Sequence, residues 1–498
     1  MFEISLVHQL KNRGASPAIE VDQYAKTYAE LAEDVRRAAL LLRRKAQPEA
    51  RIGILAQRSY LSIVAILATV EAGMTYVPLN PKFPVDRLKK VSSLAGCAII
   101  VADQEHAAMA ADVNALNNSL LLIGINELLL PETNKIESEP WQANLDLPTY
   151  IIFTSGTTGE PKGVPITRRN LKCYLDAIKQ VVPLHQSDRC SHYFDLSFDP
   201  SVHDIFYTLS SGACLCIPTE NEIIDSVGFA ARKKLTVWFS VPSVIAFAHR
   251  MRRMQENNLP SLRLGLFCGE ALPASIAEIW GKSAPNSRIF NLYGPTEATI
   301  TILFHELEAG QTENIAPIGK VFPGSSMTIR NEQSSALKKG EAGELLLGGG
   351  QVALGYLNSP SQTEARFVRL PDTAEKLWYR TGDLTREDES GVVHFLGRID
   401  EQVKINGNRI ELLEVEAVLR RASGIQDVAV VLVKDKRSQL DSLVGFVCGS
   451  ELDYDKIIKE CGRVLPTFAC PRKIIPIQKI PLNVNGKVDR KALAVLGD

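Results

Sequence analysis

A segment rich in glycine and hydroxyl side chains follows an apolar run in the first third of the chain. The run Ile151-Ile-Phe leads into Thr154-Ser-Gly-Thr-Thr-Gly-Glu-Pro-Lys-Gly. Glycines let backbone N–H groups approach an anion, hydroxyl groups donate to phosphate oxygens, and a lysine adds positive charge. The segment predicts a phosphate-binding loop, although it lacks the Gly-Lys-[Ser/Thr] ending of a Walker A loop. Its candidate nucleotide-binding residues are Thr154, Ser155, Gly156, Thr157, Thr158, Gly159 and Lys162.

The elements that position this loop are those of an α/β protein. Strand-like runs alternate with helical patterns through most of the chain, as in Arg51–Ala56 followed by Leu61–Glu71, which predicts parallel α/β layers. From about Thr328, frequent glycines separate short strands and indicate a β-rich subdomain. We predict a large N-terminal domain at residues 1–396 (with the β-rich subdomain at about 328–396), a linker at 397–402 and a small α+β C-terminal domain at 403–498.

Composition excludes several functional classes. The 498 residues are 45% hydrophobic and 23% charged, which is typical of a folded globular protein rather than a disordered chain. Lys+Arg 56 against Asp+Glu 57 leaves a net charge of −1 and gives no general reason to bind nucleic acid or an anionic membrane. The nine cysteines form no zinc-type or disulfide pattern, and the N-terminus does not resemble a secretory signal. We therefore expect a cytoplasmic protein without nucleic-acid or membrane partners.

Eight motifs in order along the chain resemble those of the adenylate-forming superfamily. The resemblance is strongest to amino-acid adenylation domains of nonribosomal peptide synthesis, here as a stand-alone unit. The motifs are Thr27-Tyr-Ala-Glu-Leu, Gly73-Met-Thr-Tyr-Val-Pro-Leu-Asn-Pro, the phosphate loop, Asn291-Leu-Tyr-Gly-Pro-Thr-Glu, Gly343-Glu-Leu to Gly355-Tyr-Leu, Tyr379-Arg-Thr-Gly-Asp-Leu, the stretch from Gly397 to Leu412, and Asn485-Gly-Lys-Val-Asp-Arg.

This resemblance implies activation of a carboxylate by ATP, which gives an acyl-adenylate and pyrophosphate. Two anions must meet in this reaction, so charge neutralisation is the main catalytic requirement. The family assigns it to the lysine of the last motif, here Lys487, which would bridge the substrate carboxylate and the α-phosphate. Thr296 would approach the α-phosphate, and Glu297 would help to hold Mg²⁺, a hard cation that prefers oxygen ligands.

The resemblance also implies a set of residues around the nucleoside. Tyr293 would offer a ring face to adenine, and Asp383 would accept hydrogen bonds from both ribose hydroxyls, since a carboxylate has two acceptor oxygens. Arg398 would reach the ribose or the phosphates. The remaining nucleotide-binding candidates in these motifs are Asn291 and Gly294.

A second set of residues corresponds to the family's substrate pocket. The segment from Phe198 to Phe206 contains Asp199 at the position that pairs with an α-ammonium group, although Asp199-Pro200 also suits the start of a helix. A buried carboxylate without a cation is costly, which favours an amino-acid substrate. The other pocket residues imply a small to medium apolar α-amino acid, with proline one candidate, and are Pro200, His203, Phe239, Leu266, Cys268, Leu292 and Ile300.

The acceptor is expected to be the phosphopantetheine thiol of a separate carrier protein, because the chain ends shortly after Lys487. The family implies rotation about a hinge at Asp400, which exchanges Lys487 for the loop with Lys404 and Gly407. A ligase for D-alanine and its carrier and an acyl-CoA synthetase remain alternatives. A non-catalytic adenylate-binding homologue is a remote alternative, since Lys487, Glu297 and Asp383 are all present.

Overall fold

The computed structural model describes residues 5–115, 121–130, 144–156, 160–308, 314–405, 407–434, 441–449, 452–482 and 488–497. A large α/β region is followed by a β-rich sheet and then by a small α+β region. This architecture confirms the predicted fold class.

The α/β region contains two twisted sheets. One has the strand order β6-β5-β3-β4-β7-β8 and the other β15-β14-β13-β12-β11-β9-β10-β1-β2. The strands are Pro17–Val21 (β1), Tyr24–Thr27 (β2), Arg51–Leu55 (β3), Thr75–Leu79 (β4), Ile99–Ala102 (β5), Leu121–Gly124 (β6), Pro148–Thr154 (β7), Lys162–Thr167 (β8), Arg189–Ser191 (β9), Cys214–Ile217 (β10), Val237–Ser240 (β11), Leu264–Phe267 (β12), Arg288–Tyr293 (β13), Leu303–Leu307 (β14) and Lys320–Val321 (β15).

Helices cover these sheets, and their sequences explain where they start. Thr27 and Glu30 form a reciprocal capping box at the start of the second helix. The third helix is buried along nearly its whole length, so the apolar run Leu61–Val70 is a core helix. The helices are Leu6–Lys11 (α1), Tyr28–Lys45 (α2), Tyr60–Glu71 (α3), Val85–Ala95 (α4), Ala107–Asn114 (α5), Arg168–Val181 (α6), Pro200–Val202 (α7), Thr208–Ser211 (α8), Glu220–Ile224 (α9), Ser226–Lys233 (α10), Pro242–Arg250 (α11) and Ala274–Ser283 (α12).

The rest of the chain forms the β-rich sheet and the small region. The β-rich sheet has the order β16-β17-β19-β18, with β20 paired to β19. The small region combines a hairpin of β21 and β22 with a sheet in the order β23-β24-β25. The elements are Ser325–Arg330 (β16), Ala342–Gly349 (β17), Pro360–Arg366 (α13), Phe367–Val368 (β18), Trp378–Glu387 (β19), Val393–Arg398 (β20), Gln402–Ile405 (β21), Asn408–Glu411 (β22), Leu412–Ser423 (α14), Val428–Lys434 (β23), Asp441–Val447 (β24), Tyr454–Cys461 (α15), Lys473–Pro476 (β25) and Arg490–Gly497 (α16).

The carboxyl ends of the parallel strands position most of the predicted site residues. Cys268 follows β12, Gly294 follows β13, and Val241 follows β11, its neighbour in the sheet. Ser155 follows β7 of the other sheet in the same way. Open α/β sheets bind ligands beyond the carboxyl ends of their strands, where backbone groups are unpaired and loops are close together. Within the described ranges, no helix is both long and apolar enough to cross a bilayer.

Candidate active site

A cavity of about 650 Å³ lies where the two α/β sheets meet the small region. Residues from all the main parts of the chain line it. They come from the phosphate loop (Thr154, Ser155), the strand ends (Asp199, Cys268, Thr296), the β-rich sheet (Asp383, Arg398) and the hairpin of the small region (Lys404, Gly407, Arg409). The structure thus gathers motifs that are more than 200 residues apart in the sequence into one cavity.

Asp199 is the one carboxylate of the predicted substrate pocket, and it lines the cavity. Its Oδ2 atom is buried without a hydrogen-bond partner in the described part of the chain. Burial raises the pKa of Asp199 to about 7, although hydrogen bonds from Thr296 and the Ile300 N–H act in the opposite direction. The side chain makes no capping bond to α7, so helix capping does not account for it. An unsatisfied buried carboxylate oxygen fits a cationic ligand.

Ile300 holds a backbone conformation that supports this arrangement. Its φ is 71°, in the left-handed region that β-branched residues rarely occupy, and Thr299 before it has a φ of 57°. The turn directs the Ile300 N–H to Asp199 while Ile300 itself lines the cavity. Local backbone strain of this kind persists where the surrounding structure enforces it, often beside a ligand site.

The predicted substrate residues divide into two groups. Asp199, Pro200, Cys268 and Ile300 line the cavity. The others are buried behind it without lining it, and are His203, Phe239, Leu266 and Leu292.

His203 occupies the space behind α7. The helical turn widens from His203 to Tyr207, and the imidazole is only 2% exposed. Its Nδ1 lies 2.6 Å from the Tyr174 hydroxyl, and its ring centroid lies 4.6 Å from that of Phe239. Burial lowers the pKa of His203 to about 3, so the ring is neutral at pH 7. His203 is therefore buried, neutral and held by Tyr174, and it is not among the residues that line the cavity.

The phosphate loop is partly described. Thr154 lines the cavity and its hydroxyl is buried without a partner among the described residues. A Cβ added at Gly156 would lie 2.0 Å from the Glu160 carbonyl oxygen, so this position requires glycine. Lys162 begins β8 opposite Thr154, and its Nζ lies 5.5 Å from the Tyr356 ring centroid. The predicted residues Thr157, Thr158 and Gly159 lie outside the described residues.

Asp383 and Tyr293 face each other in the cavity. The Tyr293 hydroxyl donates to Asp383 Oδ2, and Arg398 Nη1 lies 2.6 Å from Asp383 Oδ1. Arg398 also binds Asp400 through Nε and Nη2, at 2.8 and 2.7 Å. The predicted ribose acceptor and the predicted hinge residue therefore share one arginine.

Asn291 and Gly294, two of the predicted nucleotide-binding residues, differ in their position relative to the cavity. The Asn291 side chain donates to the Pro317 carbonyl at 2.8 Å and does not line the cavity. Gly294 lines it, and a Cβ there would lie 2.5 Å from the Thr301 Cα atom. Close backbone packing against Thr301 explains the glycine at position 294. The hydrogen bond from Asn291 holds the neighbouring loop at Pro317 in place.

Glu297 is buried beside the cavity, with a side chain 1% exposed. Its Oε1 accepts from the Tyr356 hydroxyl at 2.8 Å. Burial would raise the pKa of Glu297, but Arg409 and Tyr356 hold it below its usual value. In the described part of the chain, no group of three or more His, Cys, Asp or Glu side chains could hold a metal ion. A single carboxylate nevertheless fits Mg²⁺ that arrives with a nucleotide, because this ion commonly takes one or two carboxylates plus substrate phosphates.

The hairpin of β21 and β22 in the small region packs against this site. The Gly407 N–H donates to Glu270 Oε1 at 2.7 Å, and Lys404 is exposed to the cavity. Gly407 has a φ of 77°, and a Cβ there would lie 2.6 Å from the Val241 Cγ1 atom. The hairpin thus approaches the large region closely at a glycine, and its role as a thiolation loop stays a prediction.

Lys487 lies outside the described residues. Its described neighbours belong to the small region. Leu482 and Val488 form an isolated bridge with each other, and Arg490 binds Glu401 and Glu416. None of these five residues lines the cavity.

Sequence reasoning missed Arg409, Tyr356 and Glu270. Arg409 and Tyr356 lie inside motifs that the sequence analysis quoted, so their motif positions were the available signal. Glu270 follows Cys268-Gly269 and carries no comparable signal in the sequence alone.

Comparison with known proteins defines the class. The model of the AMP-binding enzyme family matches residues 6–357, and that of the AMP-binding enzyme C-terminal domain matches residues 414–487. The chain therefore belongs to the AMP-binding enzyme family and is an adenylate-forming acid–thiol ligase.

Its relatives include both carrier-protein ligases and peptide synthetases. The chain is 33% identical to the D-alanine–D-alanyl carrier protein ligase of Bacillus licheniformis, over 94% of this chain and 93% of that protein. It is 32% identical to tyrocidine synthase 3 of Brevibacillus parabrevis over 97% of this chain, but it spans only 7% of that relative. The crystal structure of the Vibrio cholerae adenylation domain AlmE with glycyl-adenosine-5'-phosphate matches with a TM-score of 0.88 and 31% identity, over 98% of this chain and 96% of that chain.

Proposed function

We propose that this enzyme activates a small α-amino acid as its aminoacyl-adenylate and passes the aminoacyl group to the thiol of a carrier protein. The observation that supports this most strongly is the buried Oδ2 atom of Asp199, which has no hydrogen-bond partner among the described residues and lies in the same cavity as Thr296 and Asp383. A substrate with an α-ammonium group would satisfy that oxygen, and a simple fatty acid would leave it unpaired.

Different side chains of the cavity would bind the amino acid, the nucleoside, the phosphates and the metal ion. Asp199 would hold the ammonium group and thereby aim the substrate carboxylate toward Thr296, which already donates to Asp199. Asp383 and Tyr293 would hold the nucleoside of ATP, and Thr154 and Ser155 would donate to its phosphates. Glu297 would hold Mg²⁺, which when bound supplies charge neutralisation for the phosphates. Lys487 would provide the positive charge between the two reacting anions, as its motif implies.

The side chains packed beside Asp199 support a small substrate, of the size of glycine or alanine. Cys268 and Ile300 line the cavity near Asp199, whereas His203 and Phe239 are packed against each other behind it. The names of two relatives, a D-alanine ligase and a structure holding a glycyl adenylate, agree with a small substrate.

Two cations that line the cavity support a carrier protein as acceptor. Lys82 and Arg87 lie there, and each is paired with a carboxylate, Glu220 at 3.0 Å and Glu414 at 3.0 Å. Cations that are already paired with carboxylates are less available to the several nucleotide phosphates of coenzyme A, so these contacts favour the phosphopantetheine arm of a carrier protein, with its single phosphate. We also propose the hinge at 397–402, where Asp400 binds both Arg398 and Arg366.

The test measures the two half-reactions separately. Amino-acid-dependent exchange of pyrophosphate into ATP is measured across a panel of amino acids of both configurations, with acetate and propionate as controls. Glycine or an alanine isomer should give the highest rate, and the des-amino acids should give almost none. Equal exchange with propionate and alanine would contradict the role of Asp199, and highest exchange with a large amino acid would contradict the size argument.

Transfer is then followed by mass spectrometry of a phosphopantetheinylated carrier protein, with coenzyme A as the competing acceptor. The proposal predicts a mass increase of one aminoacyl group on the carrier. Faster loading of coenzyme A than of any carrier tested would favour an acyl-CoA synthetase instead.

A further inference from the structure

A buried histidine–aspartate pair lies behind the substrate pocket and has no role in the proposed chemistry. His192 Nδ1 lies 3.1 Å from Asp204 Oδ2, and the two side chains are 0% and 2% exposed. Neither residue lines the cavity. Burial lowers the pKa of His192 to about 3, so at pH 7 a neutral ring is hydrogen-bonded to the Asp204 carboxyl group. The pair does not reach a substrate in the cavity, but it can act through residues that do.

A buried polar pair of this kind is costly for the stability of the core. Among the described residues, His192 Nε2 has no hydrogen-bond partner, so one of the two ring nitrogens is left unsatisfied. Asp204 accepts from the Phe194 N–H, and the Arg58 guanidinium opposes the rise in the pKa of Asp204 that burial causes. In some proteins, buried polar groups that cost stability specify one structural register. Here the register in question is that of the helix that carries Asp204.

Asp204 lies in a helical turn that is wider than an α-helical one. The helix runs from Pro200 to Ser211, and its middle section, His203–Tyr207, is a π-helical turn between α7 and α8. A π-helical turn closes its hydrogen bonds one residue later than an α-helix does, and such turns are frequent at functional sites. Because each residue of an α-helix turns by about 100°, the extra residue rotates α7 by about that angle relative to α8.

This rotation decides which residues the start of the helix presents to the cavity. Asp199 immediately precedes α7, and Asp199 and Pro200 line the cavity, whereas Thr208 and Leu209 of α8 are buried in the core. With a regular α-helical turn, one of these two faces would point away from its present surroundings. The close-packed core around α8 resists such a change, so the rotation would fall on α7 and on Asp199.

Two side chains of the widened turn are tied to the surrounding structure. His203 Nδ1 lies 2.6 Å from the Tyr174 hydroxyl of α6, and Asp204 binds His192, which follows β9. Since Asp204 belongs to the turn itself, a change to regular α-helix would rotate its carboxyl group relative to His192. The bond to His192 therefore favours the widened turn over the regular one.

We propose that His192 and Asp204 form a positioning pair, which holds the π-helical turn and thereby directs Asp199 into the cavity toward the ammonium group of the substrate. The inference rests on the proposed function, because Asp199 is the residue that the pair positions. It deepens that function by assigning part of the selectivity for amino acids to two residues that do not touch the substrate.

The test compares variants that break the bond between His192 and Asp204 with a variant that keeps it. His192→Leu removes the donor to Asp204, whereas His192→Gln retains an N–H donor on a side chain of similar length. Asp204→Ser shortens the other side of the pair and is a second disruptive variant should His192→Leu not yield folded protein. The matched control is His394→Leu, which breaks a histidine–aspartate pair that does not line the cavity, with Asp388 at 3.0 Å.

Pyrophosphate exchange is measured with the amino acid that the wild type exchanges fastest, with ATP varied, and with the corresponding des-amino acid. His192→Leu and Asp204→Ser should raise the amino-acid KM by about tenfold, which lies within the range of couplings inside one hydrogen-bond network. The ATP KM should stay unchanged, and the preference for the amino acid over its des-amino acid should fall by a similar factor. His192→Gln and His394→Leu should stay close to the wild type in all three values.

A double-mutant cycle separates the positioning of Asp199 from a general loss of structure. If the pair acts through Asp199, the effect of His192→Leu should largely disappear in the Asp199→Asn background, which lacks the charge to be positioned. An effect that adds in full to that of Asp199→Asn would overturn the inference.

A wild-type amino-acid KM in folded His192→Leu or Asp204→Ser would also overturn the inference, as would an equal rise of the amino-acid KM and the ATP KM. An equal loss in His192→Gln would reject it too, because that variant keeps the donor. Strong wild-type preference for the amino acid together with unaffected variants would reject the role of the pair and leave the proposed function standing. A wild type without that preference would reject the role of Asp199 in the proposed function itself.

Discussion

Replacement of Asp199 by asparagine tests the substrate contact with little change of shape. Asparagine can still accept from Thr296 and the Ile300 N–H, so the loss is confined to the charge that would face the ammonium group. Removing one partner of a buried, hydrogen-bonded charge pair costs about 2–5 kcal/mol. The remaining contacts place this variant toward the lower half of that range, which corresponds to an increase in amino-acid KM of about 100-fold.

The assay is pyrophosphate exchange with the amino acid varied at saturating ATP, and then with ATP varied. Only the amino-acid KM should rise in Asp199→Asn. Asp383→Asn is the reciprocal control, and it should raise the ATP KM more than the amino-acid KM, since Asp383 faces Tyr293 at the nucleoside. An amino-acid KM within about threefold of wild type would refute the reasoning, because it corresponds to less than about 1 kcal/mol.

The pH dependence of the amino-acid kcat/KM is a second test of the contact between Asp199 and the ammonium group. Burial raises the pKa of Asp199 to about 7, so the free enzyme loses the charge as the pH falls below that value. The amino-acid kcat/KM should therefore fall below pH 7, with a limiting slope near tenfold per pH unit for one titrating group. This limb should be absent in Asp199→Asn. A wild-type profile that is flat from pH 8 to pH 5 would contradict the assignment.

Three further substitutions test the remaining parts of the site. Lys487→Ala should lower pyrophosphate exchange by about 100-fold or more, the order expected for a lost transition-state charge contact. The control is Lys491→Ala, at an exposed lysine, and near-normal exchange by a folded Lys487→Ala would reject the catalytic role of Lys487. Gly407→Leu should reduce carrier loading far more than exchange, because a Cβ at that position already lies 2.6 Å from Val241; an equal loss in both half-reactions would argue against a separate transfer arrangement. His203→Ala should raise exchange with valine relative to glycine by about tenfold or more, the order that pockets show for small size changes, and an unchanged ratio would show that His203 does not limit the pocket.

Much of the site could be predicted from sequence because its residues lie in contiguous motifs. Thr154, Asp199, Thr296 and Asp383 each belong to a short segment with a recognisable pattern, and all four line one cavity. Their roles stay predictions, but their convergence follows from strand ends that open α/β sheets bring together. Composition and strand–helix alternation were likewise sufficient for the fold class.

Contacts between distant motifs could not be predicted in the same way. Arg409 meets Glu297 across 112 residues of sequence, and the pair depends on how the small region is placed. The sequence predicts His203 in the pocket wall, and only the packing of Tyr174 and Phe239 shows that it fills the space behind the cavity. Asn291 sits within a nucleotide motif, yet its amide binds a carbonyl of the loop at Pro317. Sequence motifs specify which residues are needed, but not which of them touch the ligand.

A single-turnover experiment tests the central claim most directly. The enzyme is mixed with ATP labelled at the α-phosphate and with glycine or alanine, quenched, and analysed for labelled products. The account predicts label in an amino-acid-dependent aminoacyl-AMP that hydroxylamine cleaves to AMP. Label found in ADP would contradict adenylation of the amino acid. An AMP product formed equally well with propionate would contradict recognition of the ammonium group by Asp199.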